Sequence, residues 1–327
     1  MSRTPDTSDL VARARGGEPR AVARLVSYVE NAPVGGGERL REVMAALAPH
    51  GGHAQIVGLT GAPGVGKSTT TSALVRELRA AGRTVAVLAV DPSSPFSGGA
   101  LLGDRIRMTD HATDPGVFIR SMASRGHLGG LAWSAPQAIR VLDAAGFDVV
   151  LVETVGVGQS EVEIAGLADT TVVLLAPGMG DGIQAAKAGI LEIGDLYVVN
   201  KADREGATKV QRDLRGMLRL TDRPEGAWTP PVLAAVAQSG KGMPEVVTAL
   251  DEHAAWLRSS GTLEARRTRR ARAEVEAIAV ETLRARWTTV DSTVDLDTLA
   301  AEVVQGKKDP YKAADTLLAE KSKSDAE

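Results

Sequence analysis

Apolar residues recur at helical spacing near both ends of the chain and form short continuous runs through its middle. Val22, Leu25, Val26 and Val29 mark one face of a helix inside residues 8–50, a segment that reads as helical. The run Asn31-Ala32-Pro33-Val34-Gly35-Gly36-Gly37 interrupts it, a second helix is expected over Glu38 to Leu47, and Pro49-His50-Gly51-Gly52 ends it. From residue 55 the pattern changes. Ile56–Leu59, Thr84–Val90, Val117–Arg120, Val149–Val152, Thr171–Ala176 and Leu196–Val199 are strand-length runs rich in β-branched residues, separated by helix-length segments or loops. Continuous apolar strands alternating with helices predict an α/β fold whose mostly parallel sheet is covered by helices on both faces. After about residue 250 the strand signal ends, and Val275, Ile278, Ala279, Thr282 and Leu283 return to helical spacing. The expected organisation is an N-terminal helical extension (1–50), an α/β domain (51–250) and a C-terminal helical arm (251–327). Its last residues, Lys321 to Glu327, read as a disordered tail.

Composition narrows the function classes. The 327 residues are 43% hydrophobic, enough for one good core and a small second one. The formal net charge of −3 gives no global field for nucleic acid or an anionic membrane, and 3% aromatic residues disfavour a base-stacking platform. With no cysteine, disulfides and thiolate metal sites are excluded. The polar start and the lack of a membrane-length apolar run point to a cytoplasmic protein. Histidines 50, 53, 111, 127 and 253 form no i,i+4 pair or tract and read as surface or core residues. Arg266, Arg267, Arg269, Arg270 and Arg272 would suit an anionic partner, but charge runs usually solvate, so a solvated helix face is the expectation.

The chemistry is concentrated in Gly61-Ala62-Pro63-Gly64-Val65-Gly66-Lys67-Ser68, a complete G-x-x-x-x-G-K-S loop between an apolar strand and a helix expected over Thr69 to Ala80. Glycines let such a loop turn its N–H groups inward onto phosphates, and the helix N-terminus adds partial positive charge. Lys67 would reach the β- and γ-phosphates, and the Ser68 hydroxyl would ligate Mg²⁺.

Asn200-Lys201-Ala202-Asp203 follows the strand Leu196–Val199 and has the N-K-x-D form of a guanine reader. The Asp203 carboxylate can accept from the ring N1–H and the exocyclic amine, a donor pair adenine lacks, so GTP and GDP are the expected ligands. Lys201 would lay its stem along the base and Asn200 would brace the loop. After the next strand, Val236-Ala237-Gln238 is placed to touch the base through backbone N–H groups.

Asp91 and Glu153 each end a strand and are candidate Mg²⁺ residues, directly or through water; otherwise they cap the turns that follow. In Glu153-Thr154-Val155-Gly156, the Gly156 N–H could sense a γ-phosphate. Asp104 and Arg105, in a glycine-rich stretch, are candidate switch residues. Lys187, after the loop Pro177–Gly182, would offset charge on a transferred phosphoryl group or else is a surface lysine.

With these residues in view, the chain resembles the methylmalonyl-CoA mutase-associated GTPases, the MeaB/ArgK family. The resemblance rests on Gly58–Thr69, Ala89–Ser94, Gly98–Met108, Glu153–Glu161, Asp181–Ile190 and Asp309-Pro310-Tyr311. It implies a P-loop GTPase that acts as a G-protein chaperone for an adenosylcobalamin-dependent acyl-CoA mutase. It also implies a homodimer, with the helical extensions serving dimerisation and partner contact, and a further switch over Asp181 to Ile190. Val236 and Gly182 depart from the family pattern. A nickel-delivery GTPase would need a cysteine or histidine cluster, which the sequence lacks. A kinase of transport proteins and a nucleotide-gated binding module without turnover remain the competing readings.

Overall fold

The computed structural model describes residues 6–33, 36–91, 111, 113–123, 134–154, 160–178, 190–289 and 296–324. They divide into two compact units, one of residues 1–33 and 37–274, the other of residues 34–36 and 275–327.

The first unit is built on seven parallel strands: β1 (Gln55–Thr60), β2 (Val85–Asp91), β3 (Val117–Ala123), β4 (Val149–Thr154), β5 (Thr170–Leu175), β6 (Leu196–Val199) and β7 (Val232–Ala234). Their order in the sheet is β3-β2-β4-β1-β5-β6-β7. The strand runs read from the sequence are all present: β1, β3 and β4 are two or three residues longer where adjacent strands prolong the ladder, β2 and β5 are shifted by one residue, and β6 is unchanged. For example, β2 and β3 stay in register from Val85↔Val117 to Asp91↔Ala123.

Side chains alternate across this sheet. Ile56, Ala86, Leu88, Val90, Val150 and Val152 face one layer; Val57, Leu59, Val85, Val87, Val149 and Leu151 face the other. The first layer holds α1 (Thr7–Arg15), α2 (Pro19–Glu30), α3 (Glu38–Leu47), α5 (Ala135–Ala144) and α6 (Ser160–Leu167). The opposite layer holds α4 (Lys67–Ala80) and α8 (Met243–Ser259). Both faces are therefore dry, which is why the strands carry no polar alternation. On the far side of β5 and β6, α7 (Ala207–Arg219) inserts Leu214 and Leu218 against Val173, Tyr197 and Val199. The N-terminal helices share the core of the sheet: Leu25, Val26 and Val29 are buried in the same cluster as Met122 and Ala138. The residues read as one N-terminal helix before the break are two, because Gly16-Gly17 ends α1 and Pro19 opens α2.

The helix α9 (Thr262–Thr289) begins in this unit, and here the arginine run departs from its expected role. Arg269 and Arg272 are exposed, as a solvated face requires. Arg266, Arg267 and Arg270 are not. Arg266 forks onto Asp195 with both nitrogens at 2.8 and 2.9 Å; Arg267 reaches Asp169 at 2.6 Å and also donates to the carbonyls of Gly52 and Ala54. Arg270 reaches Asp169 and the carbonyl of Leu167. The two aspartates stand just before β5 and β6 and are buried, so each needs a cation and hydrogen bonds.

The second unit contains the continuation of α9, then α10 (Leu296–Val304) and α11 (Pro310–Ser324). The last two pack on each other with Leu299 and Ala313 buried. Asp309 caps α11 by accepting the Lys312 N–H at 3.0 Å, and the helix runs to Ser324, into the polar stretch read as a tail.

Candidate functional site

Three loops meet at the carboxyl ends of β1, β6 and β7, beside the end of β4, where ligands of open parallel sheets bind. The first is Gly61–Gly66. Its backbone has φ of 143° at Gly61 and 97° at Gly66, values only glycine adopts readily. A Cβ at Gly61 would strike the Leu174 carbonyl oxygen, and one at Gly66 would sit 2.5 Å from Asn200 Nδ2. The loop therefore needs glycine for space as well as for conformation. Pro63 and Gly64 are exposed at its tip, Val65 is buried beneath it, and Ala62 is half-buried.

Gly66 is the N-cap of α4, so Lys67, Ser68 and Thr69 occupy the first helical turn. Lys67 is buried to 8% exposure and folds across the loop, its Nζ donating to Gly61 O at 2.5 Å and Ala62 O at 3.3 Å. Ser68 Oγ donates to Glu153 Oε1 at 2.6 Å. Thr69 points out to solvent.

Glu153 is 4% exposed on β4 and touches α4 through both carboxylate oxygens. Thr71 Oγ1 lies 2.8 Å from Oε2 and 3.1 Å from the carbonyl of Lys67. The sequence reading missed Thr71; its signal was the i,i+3 spacing from Ser68, which puts both hydroxyls on one face of the helix. Asp91 ends β2 two strands from β1, but its side chain lies outside the described residues, as do Asp104, Gly156 and Lys187.

A hydroxyl beside a buried carboxylate is a donor set of hard oxygens and fits Mg²⁺. Among the described residues no group of three or more His, Cys, Asp or Glu forms a metal cage. That also suits a cation that takes one or two protein oxygens and completes its shell with phosphates and water.

Asn200 joins three loops. Its Nδ2 donates to Val65 O at 2.8 Å, its Oδ1 accepts the Ala237 N–H at 3.1 Å, and its own N–H bonds Leu175 O at 2.8 Å. Lys201 takes the left-handed φ of 55° and extends its Nζ to Gly64 O at 2.7 Å, so its stem runs over the loop. Asp203 is exposed two residues on.

The structure narrows one expectation. The Val236 N–H is bonded to Lys241 O at 2.8 Å in a tight antiparallel bridge, and the Ala237 N–H is taken by Asn200. Of the three residues Val236, Ala237 and Gln238, only Gln238 keeps a backbone N–H without a hydrogen bond among the described residues, and it lies at the exposed end of the segment.

A glycine loop at a helix N-terminus, a lysine and hydroxyl in its first turn, and an Asn-Lys-x-Asp corner tied to it define a P-loop protein of the GTPase class. The family model described as methylmalonyl Co-A mutase-associated GTPase MeaB matches residues 22–292, and the chain belongs to this family. It is 46% identical over 314 residues to a Pyrococcus abyssi protein named "Putative GTPase", with 95% of this chain and 96% of that protein covered. It is 38% identical over 260 residues to the Escherichia coli GTPase ArgK, covering 79% and 78% of the two chains. The crystal structure of a LAO/AO transport system kinase superposes with a TM-score of 0.73 at 28% identity, over 97% of this chain and 99% of that one. The protein thus binds guanine nucleotide and is a GTP hydrolase. Among the described residues no helix is long and apolar enough to cross a membrane.

Proposed function

We propose that this GTPase is the nucleotide-driven chaperone of an adenosylcobalamin-dependent acyl-CoA mutase of the methylmalonyl-CoA mutase kind. It gates cofactor loading and protects the mutase during turnover. The observation that carries this reading is the family match over residues 22–292, whose description names that mutase. The protein acts in the cytoplasm as a homodimer.

In this reading Gly61–Thr69 cradles the phosphates. Lys67 exchanges the carbonyls of Gly61 and Ala62 for β- and γ-phosphate oxygens and offsets the charge that builds on the bridging oxygen as the bond to the γ-phosphorus breaks. Ser68 and Glu153 would hold Mg²⁺, joined by Asp91 on sequence grounds alone. When bound, the cation supplies polarisation of the phosphoryl oxygens. Asp203 accepts the N1–H and exocyclic amine of guanine, Lys201 covers the base, Asn200 fixes the corner, and the Gln238 N–H faces the guanine carbonyl. Asp104, Gly156 and Lys187 are assigned to the switch and to charge stabilisation on sequence grounds alone. Loss of the γ-phosphate releases the switch loops and changes affinity for the mutase.

The test is phosphate release at saturating GTP, with and without the mutase and with a non-hydrolysable analogue in co-purification. The reading expects slow intrinsic hydrolysis that the mutase accelerates; equal rates, together with no nucleotide-dependent co-purification, would sink it. The kinase named in the superposing structure supports a second reading, in which labelled γ-phosphate ends on protein rather than as inorganic phosphate.

A further inference from the structure

We infer that Thr71 is a positioning residue for the cation that accompanies the nucleotide, acting through Glu153. This rests on the reading of Ser68 and Glu153 as Mg²⁺ residues.

Glu153 is a carboxylate buried at the end of a central strand. Carboxylates in such places need donors on both oxygens to stay charged and to hold one orientation. Here α4 supplies both. Ser68 Oγ donates to Oε1 at 2.6 Å and Thr71 Oγ1 donates to Oε2 at 2.8 Å, one helical turn further on. Ser68 and Thr71 are themselves buried, so neither hydroxyl is a surface group that drifts into contact.

The consequence follows from the hydroxyl's chemistry. A serine hydroxyl has one proton and two lone pairs. When its proton goes to a carboxylate, its lone pairs are what a cation meets. Ser68 therefore presents the correct atom to Mg²⁺ only while Oε1 is turned toward it. A carboxylate held at one oxygen can rotate about its last torsion, which is broad and soft. Thr71 on the second oxygen removes that freedom. It is not placed to be a ligand, since it is fully buried and its backbone is a turn away from the loop. The Lys67 carbonyl, 3.1 Å away, is the alternative acceptor for the same proton, and the shorter 2.8 Å contact favours Oε2.

The experiment uses the full-length protein and the fluorescent nucleotide mant-GDP, titrated in EDTA and then with increasing Mg²⁺, for the wild type, Thr71→Val and Thr71→Ser. Val keeps the shape and removes the hydroxyl; Ser keeps the hydroxyl. The expected result is that Thr71→Val binds mant-GDP in EDTA like the wild type but needs roughly 10-fold more Mg²⁺ for half-maximal response, the usual cost of losing a residue behind a metal ligand. Thr71→Ser is expected to return to the wild-type Mg²⁺ curve. An unchanged Mg²⁺ requirement in Thr71→Val overturns the inference. So does a Thr71→Ser curve shifted as far as that of Val, because packing and not the hydroxyl would then be the cause. If Thr71→Val fails to bind mant-GDP in EDTA or loses its thermal transition, Thr71→Ala and Thr71→Ser are compared in the same titration, with the same two outcomes. A wild type whose nucleotide binding ignores Mg²⁺ overturns the metal reading itself, and that result differs from a Mg²⁺-dependent wild type matched by its Val variant.

Discussion

Asn200 Nδ2 and the carbonyl oxygen of Val65 are joined by a 2.8 Å hydrogen bond across 135 residues of chain. The same side chain takes the Ala237 N–H, so one amide fixes the phosphate loop, the base corner and the loop after β7 together. Asn200→Ala is expected to leave Val65 O and Ala237 N–H without partners. Each buried orphan costs about 1–3 kcal/mol. Guanine nucleotide affinity should fall at least 10-fold with a measurable drop in urea midpoint. Calorimetric titration with GDP beside urea denaturation checks both, and wild-type affinity in a folded variant would contradict the bracing role.

Asp203 is exposed beside this corner, and base selection is the role proposed for it. Asp203→Asn is expected to weaken GTP binding and to gain xanthosine triphosphate, whose exocyclic oxygen replaces the amine. The discrimination should shift by at least two orders of magnitude, since a site that hydrogen-bonds a substrate group rejects its mismatch strongly. Competition between the two triphosphates for one fluorescent nucleotide reads this directly. An unchanged preference for GTP would remove Asp203 from the base site.

Asp169 is 2% exposed and accepts from Arg267 and Arg270 and from the Ile56 N–H. Asp169→Asn removes the charge that both guanidinium groups need. Breaking a buried pair from one side costs about 3–5 kcal/mol. Arg269→Ala, on the exposed face of the same helix, should stay within about 0.5 kcal/mol. Urea denaturation of the two variants separates the clasp from the solvated arginines.

His253 is fully buried on α8, with Nδ1 2.9 Å from Thr170 Oγ1 and its ring stacked near Trp256. Burial pushes its pKa from 6.5 down to about 4, against the opposite pull of Asp195. Between these values the unfolded chain holds the proton and the folded one does not, so ν_U exceeds ν_N and stability rises with pH. Acidification from about pH 6.5 to 4 should therefore remove on the order of 3 kcal/mol through this residue. His253→Gln should flatten the stability profile in that window. A wild-type profile retained in the variant would assign the slope to other groups.

The sequence by itself determined the strands, their parallel arrangement and the glycine loop and Asn-Lys-x-Asp corner at strand ends. These signals are local: a β-branched run, a glycine spacing, or a four-residue corner carries its own physical reason for existing. The strand Leu196–Val199 and the helix Glu38–Leu47 fall where periodicity put them. The family followed from the same short motifs. Only the tertiary structure decided which partners distant residues take. Nothing near Arg267 in sequence shows that Asp169 lies within reach, because the two are 98 residues apart. An arginine run and a solvated helix face look alike until the buried carboxylates are placed. The same holds for Val236 and Ala237, whose N–H groups are consumed by Lys241 and Asn200, so that of the three residues only Gln238 keeps an N–H without a hydrogen bond among the described residues. It holds again for Thr71, an unremarked helical threonine until Glu153 arrives from β4 with an oxygen to satisfy. Local sequence fixes what each residue can donate or accept; only the folded packing, which must pair every buried polar group, fixes with whom.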